Sequence, residues 1–515
     1  MMKKFWFYFV LCSFSLVTYG QQEYEITINL KKCKDTMAYL TYYQFDKTLI
    51  KDTCTTIKNG KIIFKGKGKL EKGIYSLISQ NKTIYFDFFV DDQTQKLTLN
   101  NDSDPTDFEG LKADNAPLED SFFDYIRFIG KQNKSFQDYK LSVNPKTKKD
   151  TLLLADKQKE LDKIIQEYEQ KFIEKNKGSY IANVVTLKTE KLLKNIPLAT
   201  NGRPDSIKVY NYYRKHYWDD VDFKDEATLR NPFFFSKFKR YFESVIPVHP
   251  DTVTMEVDRI LEKPKEGSLI YKLMLAHLVY NYETTKIMGF DKVFVHMSDA
   301  YFKTGKASGI YDDESVVGKI IKRADLLKPL LVGAIAPDLA MIKAKDYEIV
   351  NKMGFEDAKT GDEVTKVFYK NVNQLNQMFV HLHSVSAKYL ILVFWDVDCG
   401  HCQKEIPKLI DLYNELKKEN KDVKVYGVYT MHQGEKYMKY INEKGLNDWI
   451  NVYDGAHLNN VTVKYDVYST PVIYILDKDK KIKAKRIGVE QIRDIFNEMD
   501  KEDNIGNKTK NNNRL

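Results

Sequence analysis

Residues 389–407 read Tyr-Leu-Ile-Leu-Val-Phe-Trp-Asp-Val-Asp-Cys-Gly-His-Cys-Gln-Lys-Glu-Ile-Pro, and their order decides the fold of the C-terminal third of the chain. The first seven form an unbroken apolar run, as expected of a strand covered on both faces. Downstream, Ile406, Leu409, Ile410, Tyr413 and Leu416 fall on one stripe of a helix. Between strand and helix stand Cys399 and Cys402, two residues apart. A Cys-x-x-Cys pair in an α/β setting reads as a redox motif. Cys399 is expected at the helix N-terminus, where unpaired amide N–H groups and the macrodipole favour an anion, so its thiolate is the expected nucleophile. Cys402, one turn in, is placed to attack a mixed disulfide. An imidazole at His401 is expected to favour the Cys399 thiolate further. No metal is expected, because a closed zinc site takes about four ligands and no second pair or spaced histidine cluster accompanies this one.

The segments around this pair alternate between strand and helix. Val423 to Tyr429 reads as a strand. Val472 to Leu476 and Ile482 to Ile487 read as a hairpin, and Val489 to Met499 as a closing helix. An α/β domain over residues 330–500 follows. Residues 501–515 are rich in Asn and Lys and are expected to be disordered.

With its spacing Cys-x-x-Cys-x-x-Glu-x-Pro, met by Cys399, Cys402, Glu405 and Pro407, the segment resembles the active site of the TlpA/ResA-like thioredoxin-fold oxidoreductases of the cell envelope. Ser469-Thr470-Pro471-Val472-Ile473 resembles the loop that carries a cis-proline in that fold, and Gly333-Ala334-Ile335-Ala336-Pro337 resembles the opening of the domain. The resemblance implies that Pro471 faces the cysteines, that the Thr470 backbone meets substrate, and that Glu405 assists proton transfer. Trp395 and His401 are the further expected substrate contacts. It also implies dithiol–disulfide exchange without a cofactor. The implied partners are protein thiols or disulfides and a membrane or envelope electron donor or acceptor. One departure is Asp398, where many members carry Trp. A carboxylate there would oppose the Cys399 thiolate or cap the helix.

Working towards the N-terminus, residues 115–328 read as a helical domain, for example Asp150 to Lys177 with Leu154, Leu161, Ile164, Ile165, Tyr168 and Phe172 near helical spacing. Residues 21–110 alternate at period two, as in Tyr24 to Leu30, and read as an antiparallel β domain. Both stretches resemble the accessory regions that precede thioredoxin domains in secreted Bacteroidetes-type proteins. The chain starts Met1-Met2-Lys3-Lys4, then an apolar run Phe5 to Val17 and small residues to Gly20. Residues 1–20 are therefore expected to be a signal peptide, the location periplasmic or envelope-bound, and the mature chain without a membrane span. The expected fold class is multidomain: an antiparallel β domain, a central all-α domain and a C-terminal α/β thioredoxin fold.

Cys33 and Cys54 lie in the β domain. Export permits a disulfide between them, and two free buried thiols are the alternative. The 515 residues carry 81 Lys and Arg against 72 Asp and Glu, a formal charge of +9. The two signs are interspersed, which fits a solvated surface, and no nucleic-acid module or basic stripe is present. Two functions fit the sequence. One is an exported thiol–disulfide oxidoreductase. The other is an envelope binding or scaffold protein whose thioredoxin domain is accessory.

Overall fold

The structure, a computed structural model, describes residues 23–102, 108–191, 193 and 195–512. The expected signal segment lies outside the described residues. Backbone packing separates two compact units. One holds the chain to Pro247 together with Lys263–Lys265; the other holds Val248–Glu262 and Glu266 onward.

The first unit begins with eight strands: β1 (Glu23–Leu30), β2 (Ala38–Gln44), β3 (Lys47–Cys54), β4 (Lys61–Lys67), β5 (Gly73–Ser79), β6 (Tyr85–Val90), β7 (Lys96–Asn101) and β8 (Lys112–Ala113). They make two four-stranded sheets, ordered β4-β1-β7-β8 and β3-β2-β5-β6. Every pairing is antiparallel except β1 with β7. Alternate residues of β1 point inward, and Ile26, Ile28, Phe64 and Leu97 of one sheet share a core with Leu40, Leu77, Phe86 and Phe88 of the other. The unit continues with α1 (Pro117–Val143), α2 (Lys148–Lys175), α3 (Tyr180–Lys188), α4 (Ser206–His216) and α5 (Pro232–Arg240). Phe122 of α1 and Val184 of α3 enter the same core. Of the two alternatives for Cys33 and Cys54, the structure has two free thiols, Cys33 half-buried and Cys54 buried. Each sulfur has its own local backbone acceptor, Asp35 O at 4.0 Å for Cys33 and Thr56 O at 3.5 Å for Cys54.

The second unit opens with α6 (Pro250–Leu261), α7 (Leu269–Glu283), α8 (Asp291–Met297) and α9 (Ser315–Leu327). The packing border thus falls inside the helical stretch 115–328. The reason is visible at Lys485, whose buried ammonium pairs with Asp291 of α8 and donates to Leu330 O at 2.7 Å. After α9 come β9 (Ala340–Lys343), α10 (Tyr347–Asn351), α11 (Gly361–Met378), β10 (Phe379–His381), β11 (Tyr389–Trp395), α12 (Cys402–Lys418), β12 (Val423–Tyr429), α13 (Gly434–Lys444), β13 (Ile450–Tyr453), α14 (Val461–Lys464), β14 (Val472–Asp477), β15 (Ile482–Lys485) and α15 (Ile492–Asn512). The strands form one seven-stranded sheet ordered β10-β9-β13-β12-β11-β14-β15. Strand β11 runs parallel to β12 and antiparallel to β14.

Successive side chains of a strand point to opposite faces, and β11 uses both. Tyr389, Ile391, Val393 and Trp395 join one core with Ile406, Leu409 and Tyr413 of α12. Leu390, Leu392 and Phe394 join a second with Tyr426, Tyr465 and Tyr474. Residues 501–512, expected to be disordered, instead continue α15. Lys483 pairs with Glu502 at 2.5 Å and Lys388 with Asp503 at 3.2 Å near the start of that stretch. Among the described residues no helix is long and apolar enough to cross a membrane.

Candidate active site

Strand β11 ends at Trp395, and a short turn leads into α12. Asp396 shapes that turn: its Oδ1 accepts from Asp398 N at 3.1 Å, and its carbonyl accepts from Cys399 N at 3.3 Å. Gln403 closes the loop by donating from Nε2 to Val397 O at 3.2 Å. No side chain caps α12, so its first amide groups are left for other acceptors.

Cys399 is half-buried and Cys402 is buried; both are free thiols. The Cys399 thiol donates to Thr470 O at 3.3 Å. The Thr470–Pro471 peptide is cis, and the acceptor carbonyl belongs to the loop that resembles a cis-proline loop. Desolvation pushes the Cys399 thiol up, but the Thr470 side chain, the backbone N–H of Cys402, the Cys402 thiol and the backbone N–H of His401 outweigh it. The net shift is downward from the ordinary cysteine value. Burial pushes the Cys402 thiol up to about 11, only partly offset by the Asp396 N–H, which lies 3.5 Å from its sulfur. One sulfur of the pair therefore favours the anion at lower pH, while the other keeps its proton.

The remaining expected residues divide. Thr470 and Pro471 are at the pair. His401 contributes its backbone N–H to the Cys399 sulfur, and its side chain is exposed. Glu405 is half-buried, pairs with Lys408 at 2.6 Å, and lines with Pro471 a cleft of about 660 Å³. Trp395 corrects the expectation of a substrate contact: it is 1% exposed, its ring packed edge-on against Tyr437 and Tyr440. As the last inward residue of β11 it belongs to the core. Asp398, the departure from the family pattern, is exposed and paired with Lys436 at 2.9 Å, so its charge is met by a lysine of α13.

Sequence reasoning passed over Asp396 and Gln403, which an aspartate at a strand end before a helix could have signalled. It also passed over Asp466. This buried carboxylate at the start of the cis-proline loop is gripped by Arg323 and Arg486. Among the described residues no group of three or more His, Cys, Asp or Glu is placed to hold a metal ion.

Comparison with known proteins adds three family matches. A thioredoxin-like family matches residues 386–482. Two domains of unknown function, DUF4369 and DUF5106, match residues 24–121 and 156–313. The thiol-disulfide oxidoreductases ResA of Bacillus thuringiensis (strain Al Hakam) and Bacillus anthracis are each 26% identical over 117 residues, 23% of this chain. The match spans 65% of the length of those relatives. Among solved structures, a domain of a possible thiol-disulfide isomerase from Cytophaga hutchinsonii is 33% identical over 34% of this chain and 96% of its own, with a TM-score of 0.26. A thioredoxin-like protein from Bacteroides caccae is 18% identical over 59% of this chain and 98% of its own, with a TM-score of 0.40.

The sheet order, the strand–turn–helix setting of the paired cysteines and the family match define the C-terminal part as a thioredoxin-like domain. The chain is a TlpA/ResA-like thioredoxin-fold protein carrying accessory N-terminal domains.

Proposed function

We propose that the protein is an exported thiol–disulfide oxidoreductase that exchanges dithiol for disulfide at Cys399 and Cys402. The observation that carries this reading is geometric: the Cys399 sulfur lies 3.3 Å from Thr470 O beside the cis Thr470–Pro471 peptide, with the buried Cys402 thiol three residues on, and the two thiols are shifted in opposite directions.

The Cys399 thiolate attacks one sulfur of a substrate disulfide. A bond forms between Cys399 and that sulfur, and the other substrate sulfur leaves as a thiolate that takes up a proton. Cys402 then loses its proton and attacks the Cys399 sulfur. The Cys399–Cys402 disulfide forms, and the second substrate sulfur leaves and is protonated. The substrate gains two electrons and two protons, and the cysteine pair loses them. A dithiol donor at the envelope returns the pair to its reduced form by the same exchange. The Thr470 backbone offers hydrogen-bonding groups to a substrate chain beside the sulfur, and the N-terminal basic and apolar segment supports export.

The test is reduction of insulin disulfides by a thiol reductant. Wild-type protein is expected to accelerate it and Cys399→Ser to leave only the background rate. Equal rates for the two proteins would remove the enzyme reading.

A further inference from the structure

Asp466 lies four residues before Thr470. Its side chain is 3% exposed, and it adopts a left-handed backbone with φ 56°, a conformation uncommon outside glycine. Two guanidinium groups hold it there. Arg323 of α9 binds both carboxylate oxygens, Nη2 to Oδ2 at 2.9 Å, and Arg486 reaches the same carboxylate and the Asp466 carbonyl, the latter at 2.8 Å. Val467 is buried and donates to Thr462 O at 3.1 Å. From there the chain emerges: Tyr468 is 69% exposed, and Thr470 and Pro471 follow at the Cys399 sulfur.

Arg323 belongs to the accessory helices, 143 positions before Asp466, yet it lines the same 660 Å³ cleft as Tyr468, Pro471 and Glu405. The ionised groups on that cleft balance: Arg323, Lys408 and Arg486 stand against Glu405, Asp466 and Glu490. A wall of neutral sum with a projecting aromatic ring selects by contact area more than by charge.

Building on the oxidoreductase reading above, we infer that Arg323 is a positioning residue that holds the 466–471 loop ready for substrate, with the exposed Tyr468 of that loop as a substrate contact. The bidentate grip matters, because a fork of two N–H groups fixes the carboxylate in orientation and a lysine ammonium does not.

The experiment is steady-state reduction of insulin by wild type, Arg323→Ala, Arg323→Lys and Tyr468→Ala, with kcat and KM separated and thermal midpoints recorded. Arg486 still holds Asp466 when Arg323 is removed, and Tyr468 is exposed, so all variants are expected to fold. The expected result is a KM raised about three- to ten-fold in Arg323→Ala and in Tyr468→Ala, with kcat changed less than KM, and no restoration by Arg323→Lys. An unchanged KM in either alanine variant, or full restoration by lysine, overturns the inference while leaving the oxidoreductase reading intact. A wild type without Cys399-dependent reduction overturns both.

Discussion

The sulfur of Cys399 lies 3.3 Å from the carbonyl oxygen of Thr470, which brings together two residues 71 positions apart. The proposed nucleophile, in the turn three residues before α12 and not in its first turn as expected, thus meets the backbone that would receive a substrate chain. A mixed disulfide formed at Cys399 would be seated against that backbone, with the Cys402 thiol beside it.

That arrangement separates the roles of the two cysteines. In Cys402→Ser the resolving thiol is gone, so a mixed disulfide with a substrate protein should accumulate and survive on non-reducing gels. Cys399→Ser should form none. Equal trapping by the two variants would contradict the assignment.

Asp398 is met by Lys436, and both side chains are more than half exposed. Exposed pairs of this kind interact weakly and are screened by salt. Asp398→Asn should therefore move the pH midpoint of Cys399 alkylation by less than about half a unit at physiological ionic strength. The check is the pH profile of iodoacetamide labelling at Cys399, and a shift of more than about one unit would place Asp398 in the thiolate's electrostatics after all.

Trp395 packs inside the core beneath the cysteines. Trp395→Ala should lower the stability of the C-terminal unit by about 3–5 kcal/mol, as removal of a large buried ring does. Urea unfolding measures it. Loss of substrate affinity at unchanged stability would restore Trp395 as a contact residue.

Asp500 carries a pH dependence. Burial pushes its carboxyl up, but hydrogen bonds from Lys388, Tyr389 and Lys421 more than offset that and hold it well below the usual carboxylate range. A carboxyl depressed in the folded state adds stability above its unfolded value of about 3.9 and loses it as the pH falls further. Thermal midpoints of wild type should drop on going below about pH 4, and Asp500→Asn should flatten that part of the curve. Parallel curves for the two proteins would contradict the linkage.

What the sequence made legible was local. The all-apolar run of β11 and the stripe of α12 are read within a few residues, and they frame Cys399 and Cys402 directly. Thr470 and Pro471 were legible only through a loop that resembles one in a known family, because nothing local says which residue a distant proline faces. Trp395 misled because an aromatic side chain at a strand end looks alike whether it turns inward or outward. Its parity with Tyr389, Ile391 and Val393 was the available clue. The parallel pairing of β1 with β7 was hidden because alternation gives each strand a buried face without naming its neighbour. The grip of Arg323 on Asp466 was hidden for the same reason, as charges so far apart in sequence have no periodicity to join them. The polar end of α15 was not legible because its Asn- and Lys-rich composition is that of a tail.

The ultraviolet absorbance of the thiolate, titrated in wild type, Cys399→Ser and Cys402→Ser, tests the central claim most directly. The account predicts a transition below the free-cysteine value of about 8.5 that is absent in Cys399→Ser and kept in Cys402→Ser, read as a difference because Cys33 and Cys54 are free thiols in all three proteins. A Cys399 that titrates at or above the free-cysteine value, or a low transition that survives its removal, would contradict it.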